Sequence, residues 1–178
     1  MRVRFPGLVA LLLVLTTAFA CTGGPVSSNP PAPTAAPLVT PVAAGMSPTG
    51  LLPNHDLTPG ETFPGVTAQQ VCVSGYARGV RNVVPEQYRQ VYASYGIAYP
   101  EPSGAYELDH LVPLELGGDN ANRNLWPEPA VPVPGFHQKD QVENYLRDAV
   151  CGGRMTLAEA QAGIASDWTA LYRLYLHP

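Results

Sequence analysis

The chain has 178 residues, with 10 Lys and Arg against 14 Asp and Glu and a formal net charge of -4. That length allows one ordinary domain with tails and excludes a large multidomain enzyme. Loss of Arg2 and Arg4 with the first 20 residues would leave 8 basic against 14 acidic side chains, near -6, which excludes a broad polycationic nucleic-acid binder. Hydrophobic residues make up 46%, but part of them sits in an N-terminal leader and a proline-rich stretch. The foldable part is therefore nearer to about 115 residues.

Residues 1–20 read as an export signal. Arg2 and Arg4 precede the apolar run Leu8 to Leu15, and Ala18-Phe19-Ala20 stands ahead of Cys21, the layout of a leader removed on export. The run falls short of the roughly 20 residues of a membrane span. Cys21 directly after Ala20 resembles a bacterial lipobox, which implies a lipid on Cys21 and an exported, membrane-anchored lipoprotein; plain cleavage before Cys21 would give a secreted one. From Thr22 to Pro59 there are nine prolines, and no charged side chain in that stretch precedes Asp56. It buries too little to offset its ordering entropy, so residues 21–60 are expected to form a disordered tether, with His55 solvated.

The remaining 61–178 form the expected domain. Residues 71–73 alternate around Cys72 and predict a short strand or an extended entry, followed by a turn-rich segment at Gly75 and Gly79. Pro85 opens a helix with Tyr88, Val91, Tyr92 and Tyr95 on its apolar side and Gly96 to stop it. Residues 105–116 alternate as a strand until Pro113 forces a bend, Gly117-Gly118-Asp119-Asn120 make a turn, and Asn124-Leu125-Trp126 read as a return strand. A proline-rich connection through Pro127, Pro129, Pro132 and Pro134 leads to a helix from about His137 to Val150, buried through Val142, Tyr145, Leu146 and Val150. Gly152-Gly153 ends it. Thr156 and Glu159 form a capping box for another helix, and a last one is expected from about Ser166 with Trp168, Leu171, Tyr172 and Tyr175 on its stripe.

With Cys21 assigned to processing, Cys72 and Cys151 remain as a pair in an exported chain and are expected to form a disulfide. No Cys-x-x-Cys pair occurs, which argues against a structural zinc knot or a redox motif.

The chemistry-bearing residues concentrate in Glu107-Leu108-Asp109-His110-Leu111-Val112-Pro113, the Gly117-Gly118 turn, Asn124-Leu125-Trp126-Pro127, and His137-Gln138-Lys139-Asp140 with Glu143. This pattern resembles the HNH nucleases of the ββα-metal, or His-Me finger, family, over about 109–144. More loosely, the segment from Cys72 to Arg81, the Tyr106 to His110 entry and the tail with Cys151 and Trp168 resemble small exported bacterial HNH-like proteins. The resemblance implies an α+β fold with a ββα-metal core and flanking helices. It also implies hydrolysis of nucleic-acid phosphodiesters outside the cytoplasm, and an Asn124 that pins the loop and orients His110 rather than reacting.

Phosphodiester hydrolysis needs an activated water and a cation for the developing charge. An imidazole with a pKa near 6.5 can take that proton at neutral pH, which makes His110 the candidate general base. Asp109 offers a hard oxygen to one divalent ion, Mg²⁺ before Mn²⁺, Zn²⁺ or Ni²⁺. His137 could add a ligand from the helix, with Asp140 and Glu143 able to replace or join it. Adjacent strand residues face opposite ways, so Asp109 and His110 share a site only if the strand ends or bulges there. Arg123 and Lys139, with Arg78, Arg81 and Arg147, are the cations for phosphate contacts. So few of them predict weak, sequence-nonspecific binding, of DNA before RNA. His177 beside the terminus reads as solvated. Two other readings compete: a noncatalytic HNH-like module at the cell envelope, and a metal-dependent hydrolase of some other phosphodiester.

Overall fold

Thr67 starts the first regular element of the domain. Its hydroxyl accepts the Gln70 amide and its own amide donates to Gln70 Oε1, a reciprocal cap that winds Ala68–Val71 into a single helical turn, α1. The strand expected at 71–73 is thus replaced by the end of a helix, because the local cap outweighs an alternation only three residues long. The computed structural model describes residues 50–177; the expected export signal, Cys21 and the first part of the tether lie outside the described residues. After α1 come α2 (Tyr76–Val80), α3 (Pro85–Ser94), β1 (Tyr106–His110), β2 (Leu125–Pro129), α4 (Phe136–Cys151) and α5 (Leu157–Tyr175), an α+β arrangement.

β1 and β2 pair antiparallel, with Tyr106 opposite Pro129, Asp109 opposite Trp126 and His110 opposite Leu125. Two prolines in β2 are tolerated because the sheet has only these two strands and their missing amides interrupt no further ladder. The strand expected over 105–116 stops at His110; Leu114–Leu116 instead form a 3-10 turn that closes on Gly117, whose φ is 79°. So small a ribbon is stable only when covered. Val91 and Tyr92 of α3, with Tyr95 just past its end, pack with Leu108, Leu111, Leu125 and Trp126. A second core joins Val142, Leu146 and Val150 of α4 to Ala160, Ile164 and Trp168 of α5, with Val112 and Leu116 between.

α5 breaks at Asp167, whose extended backbone and Oδ1, accepting the Ala170 amide at 2.9 Å, start a new helical run where a second helix is expected. Residues 50–60, assigned above to the tether, belong instead to the folded part. Trp168 Nε1 donates to the Leu51 carbonyl at 3.0 Å. Thr58 is buried and donates to the Leu125 carbonyl at 2.9 Å while taking the Tyr95 hydroxyl proton at 2.7 Å. Composition could not reveal those partners, which lie far away in the chain. Among the described residues no helix is long and apolar enough to cross a membrane.

Cys72 and Cys151 are joined, with their Cα atoms 5.6 Å apart and a sequence separation of 79. The bond ties the end of α1 to the end of α4. Replacing both with Ser is expected to lower unfolding free energy by about 4 kcal/mol in the chain-entropy account, read as a fall in the denaturant midpoint.

Candidate functional site

Strand alternation puts Glu107 and Asp109, with Trp126 and Glu128 across the ribbon, on one face, and Leu108 and His110 on the other. His110 is the last residue of β1, and the chain bends away through Pro113. Asp109 and His110 therefore both border one cleft of about 260 Å³, whose polar lining also includes Arg78, Arg81, Glu115 and Glu143.

The loop between the strands is held by one amide. Asn124, fully buried, accepts the Val112 amide at Oδ1 and donates through Nδ2 to the carbonyls of Val112 and Asp119, each at 2.9 Å. Gly118 passes so close to this clamp that a Cβ there would stand 1.7 Å from the Val112 oxygen. Asn124 thus pins the segment that begins two residues after His110, and its polar atoms are consumed in doing so.

His110 is 2% exposed, and its Nε2 lies 3.3 Å from Asn120 Oδ1. Asn120 Nδ2 donates to the Val80 carbonyl and Oδ1 accepts the Asn82 amide, so Oδ1 is an acceptor and His110 Nε2 must carry the proton. Burial pushes the His110 pKa below 6.5, with Arg81 and Lys139 adding to it against the opposing pull of Asp109 and Asn120. Near neutrality the imidazole is accordingly uncharged, and Nδ1 carries the free lone pair.

Lys139 defines the opposite side of the site. It is 0% exposed. Its Nζ donates to Asp109 Oδ2 at 2.5 Å, to the His110 carbonyl at 2.9 Å and to Glu143 Oε1, and stands 3.9 Å from Glu128 Oε2. Burial alone would lower the Lys139 pKa, but the surrounding carboxylates hold it well above 10.5. Burial would likewise raise Asp109, yet the charge and hydrogen bond of Lys139 keep it below 3.8. One ammonium cannot neutralise three carboxylates. Glu128 is pushed well above 4.5 by burial, with Asp109 and Glu143 adding to this against the pull of Lys139, and its two oxygens have no hydrogen-bond partner among the described residues. Glu143 is raised to about 8 by burial, with Asp109 and Glu115 adding to this against the pull of Lys139.

Lys139 is therefore not a phosphate contact, as expected above, but an internal cation. The signal was present in the sequence: Lys139 lies three and seven positions before Val142 and Leu146, on the buried stripe of α4. Arg123 is exposed and paired with Glu61 at 2.6 Å, outside the cleft lining. Arg147 is paired with Asp148 and Glu115. His137 and Asp140 are exposed on the first turns of α4, and neither lines the cleft; the His137 ring rests against Phe136. Arg78 and Arg81 form no ion pair among the described residues.

The expected ligand set does not fit a divalent ion in this arrangement. Asp109 and Glu143 converge on Lys139 Nζ, His137 and Asp140 stand apart, and among the described residues no three His, Cys, Asp or Glu side chains form a cluster able to hold a metal. Sequence reasoning also missed Asn120 and Glu128. Only the oddity of a carboxylate between two prolines in a strand, Pro127-Glu128-Pro129, hinted at the latter. Comparison with protein-family models, curated proteins and solved structures finds no match for the chain.

Asn124→Ala would leave the Val112 amide and two carbonyls unpaired and is expected to cost roughly 3 kcal/mol in a denaturant melt. Because the folded pKa of Glu128 lies above the unfolded value, the folded protein binds more protons. Its contribution to stability is complete below about pH 4.5 and is lost as pH rises toward the folded value. Glu128→Gln has no proton to lose, so its melting temperature should fall less than that of the unaltered protein as pH is raised above 4.5.

Proposed function

We propose that the cleft at the end of β1 hydrolyses phosphodiester bonds of nucleic acid, DNA before RNA, outside the cytoplasm. The observation that carries this reading is that His110, Glu143, Arg78 and Arg81 line one cleft. Support for a nuclease comes from the chain order of β1, β2 and α4, with His110 ending the first strand and Asn124 immediately before the second, in keeping with a ββα core. A polymeric substrate is favoured by a second hollow of about 520 Å³ that shares Ala77, Arg78 and Glu115 with the cleft and extends to Tyr76 and the Cys72–Cys151 bond.

In this proposal the unpaired guanidinium groups of Arg78 and Arg81 hold the phosphate and offset charge on its oxygens. Neutral His110 takes a proton at Nδ1 from water, whose oxygen forms the new bond to phosphorus. The bond to the leaving oxygen breaks, and protonated Glu143 delivers a proton to that oxygen. Loss of the proton from His110 to solvent and uptake of one by Glu143 restore the site. The two groups have pKa values displaced in the directions that an acid and a base need. No step passes through a divalent ion, because Lys139 already holds the Asp109 and Glu143 oxygens that would bind it.

The rival reading, a noncatalytic envelope module, draws on that same closed ion cluster and on the acidic net charge of -4. Digestion of plasmid, single-stranded DNA and RNA by the purified protein separates the two. Cleavage is expected in EDTA, and His110→Gln, checked for folding by circular dichroism, should reduce it by about 100-fold or more. The base works only when deprotonated and the acid only when protonated. The rate should therefore rise through an apparent pKa below 6.5 and fall through one near 8, the second limb shifting or vanishing in Glu143→Gln. Absence of cleavage of every nucleic acid in both EDTA and Mg²⁺ would leave the module.

A further inference from the structure

We infer that Lys139 is a built-in replacement for a divalent cation: its ammonium occupies an oxygen cage that would otherwise be a metal site. Three donors of the ammonium are satisfied by Asp109 Oδ2 at 2.5 Å, the His110 carbonyl at 2.9 Å and Glu143 Oε1, and Glu128 Oε2 stands 3.9 Å away. Without the lysine, this set of carboxylate and carbonyl oxygens is the hard-donor environment that suits Mg²⁺ or Mn²⁺. With it, an ion bound to the same Asp109 and Glu143 oxygens at about 2.1 Å would press against Nζ, and the two cations would repel.

The lysine is also well placed to be permanent. It arises from the buried stripe of α4, and none of its surface reaches solvent. Its charge is covalently attached, so the cage stays filled whatever the ion content of the medium. The acidic residues at the centre of the fold are thus held together by the chain itself, and the protein should fold and keep its cleft without any metal. This inference does not require the cleft to hydrolyse anything, and its test reads binding and melting rather than cleavage.

The test is titration calorimetry with Mn²⁺, together with thermal melts in EDTA and in millimolar Mn²⁺. The unaltered protein should show no stoichiometric binding and the same melting temperature in both media. Lys139→Ala, which opens the cage, should melt lower in EDTA and regain about 5 °C or more with Mn²⁺. That gain should disappear when Asp109→Asn is added. Lys139→Met, which fills the space with an uncharged chain, should melt lower and not respond. Stoichiometric Mn²⁺ binding by the unaltered protein, with a melting rise abolished by Asp109→Asn, would overturn the inference. So would a folded Lys139→Ala that binds no Mn²⁺. Should Lys139→Ala fail to fold in either medium, the titration of the unaltered protein decides alone.

Discussion

A single buried ammonium organises the centre of this protein. Taking Lys139 out of water costs several kcal/mol, and the cost is offset only because Asp109, the His110 carbonyl and Glu143 meet its three protons. Those partners lie on β1 and on the next turn of α4, so the ion cluster fixes where the helix sits against the end of the ribbon. It also sets the protonation of its neighbours. With Asp109 keeping the negative charge, Glu128 and Glu143 are left to hold protons, and Glu143 does so at the edge of the cleft.

The second constraint is the loop that carries the chain from β1 to β2. Asn124 replaces three missing backbone bonds at once, and Gly118 is present because a side chain there would collide with the Val112 carbonyl. Asn120 links the same loop to the end of α2 through Val80 and Asn82, and through its Oδ1 it decides which nitrogen of His110 carries hydrogen. The disulfide secures the far ends of α1 and α4, so the short helix bearing Arg78 hangs between two anchored points beside the cleft. Local capping, a covalent tie and a buried ion cluster thus cooperate where a ribbon of two strands could not stand alone.

Much of this was legible beforehand, and for definite reasons. α3, α4 and the broken α5 announce themselves because apolar residues recur at helical spacing and because Pro85, Thr156 and the Gly152-Gly153 pair mark their ends. β1 ends at His110, three residues before the bend expected at Pro113, and that early end explains why neighbouring residues with opposed side chains can border the same cleft. The strand at 71–73 was misread, because alternation over three residues is weaker than a capping box one turn upstream. Residues 50–60 were misread because proline content speaks only to local stiffness, whereas their hydrogen bonds reach Trp168, Tyr95 and Leu125.

By itself the sequence determined the α+β class and the pairing of Cys72 with Cys151, whereas the meeting of Asp109 and His110 was conditional on the strand ending there and the pinning role of Asn124 came from the family resemblance. The first two depend on local propensity and on the number of available sulfurs. Only the tertiary structure decided which charged residues face inward. Lys139, Glu128 and Glu143 form one buried cluster while His137, Asp140 and Arg123 point to solvent or to a surface partner. The reason is physical: whether a charge can be buried depends on partners supplied by other elements, and the angle at which α4 meets the ribbon brings those partners together.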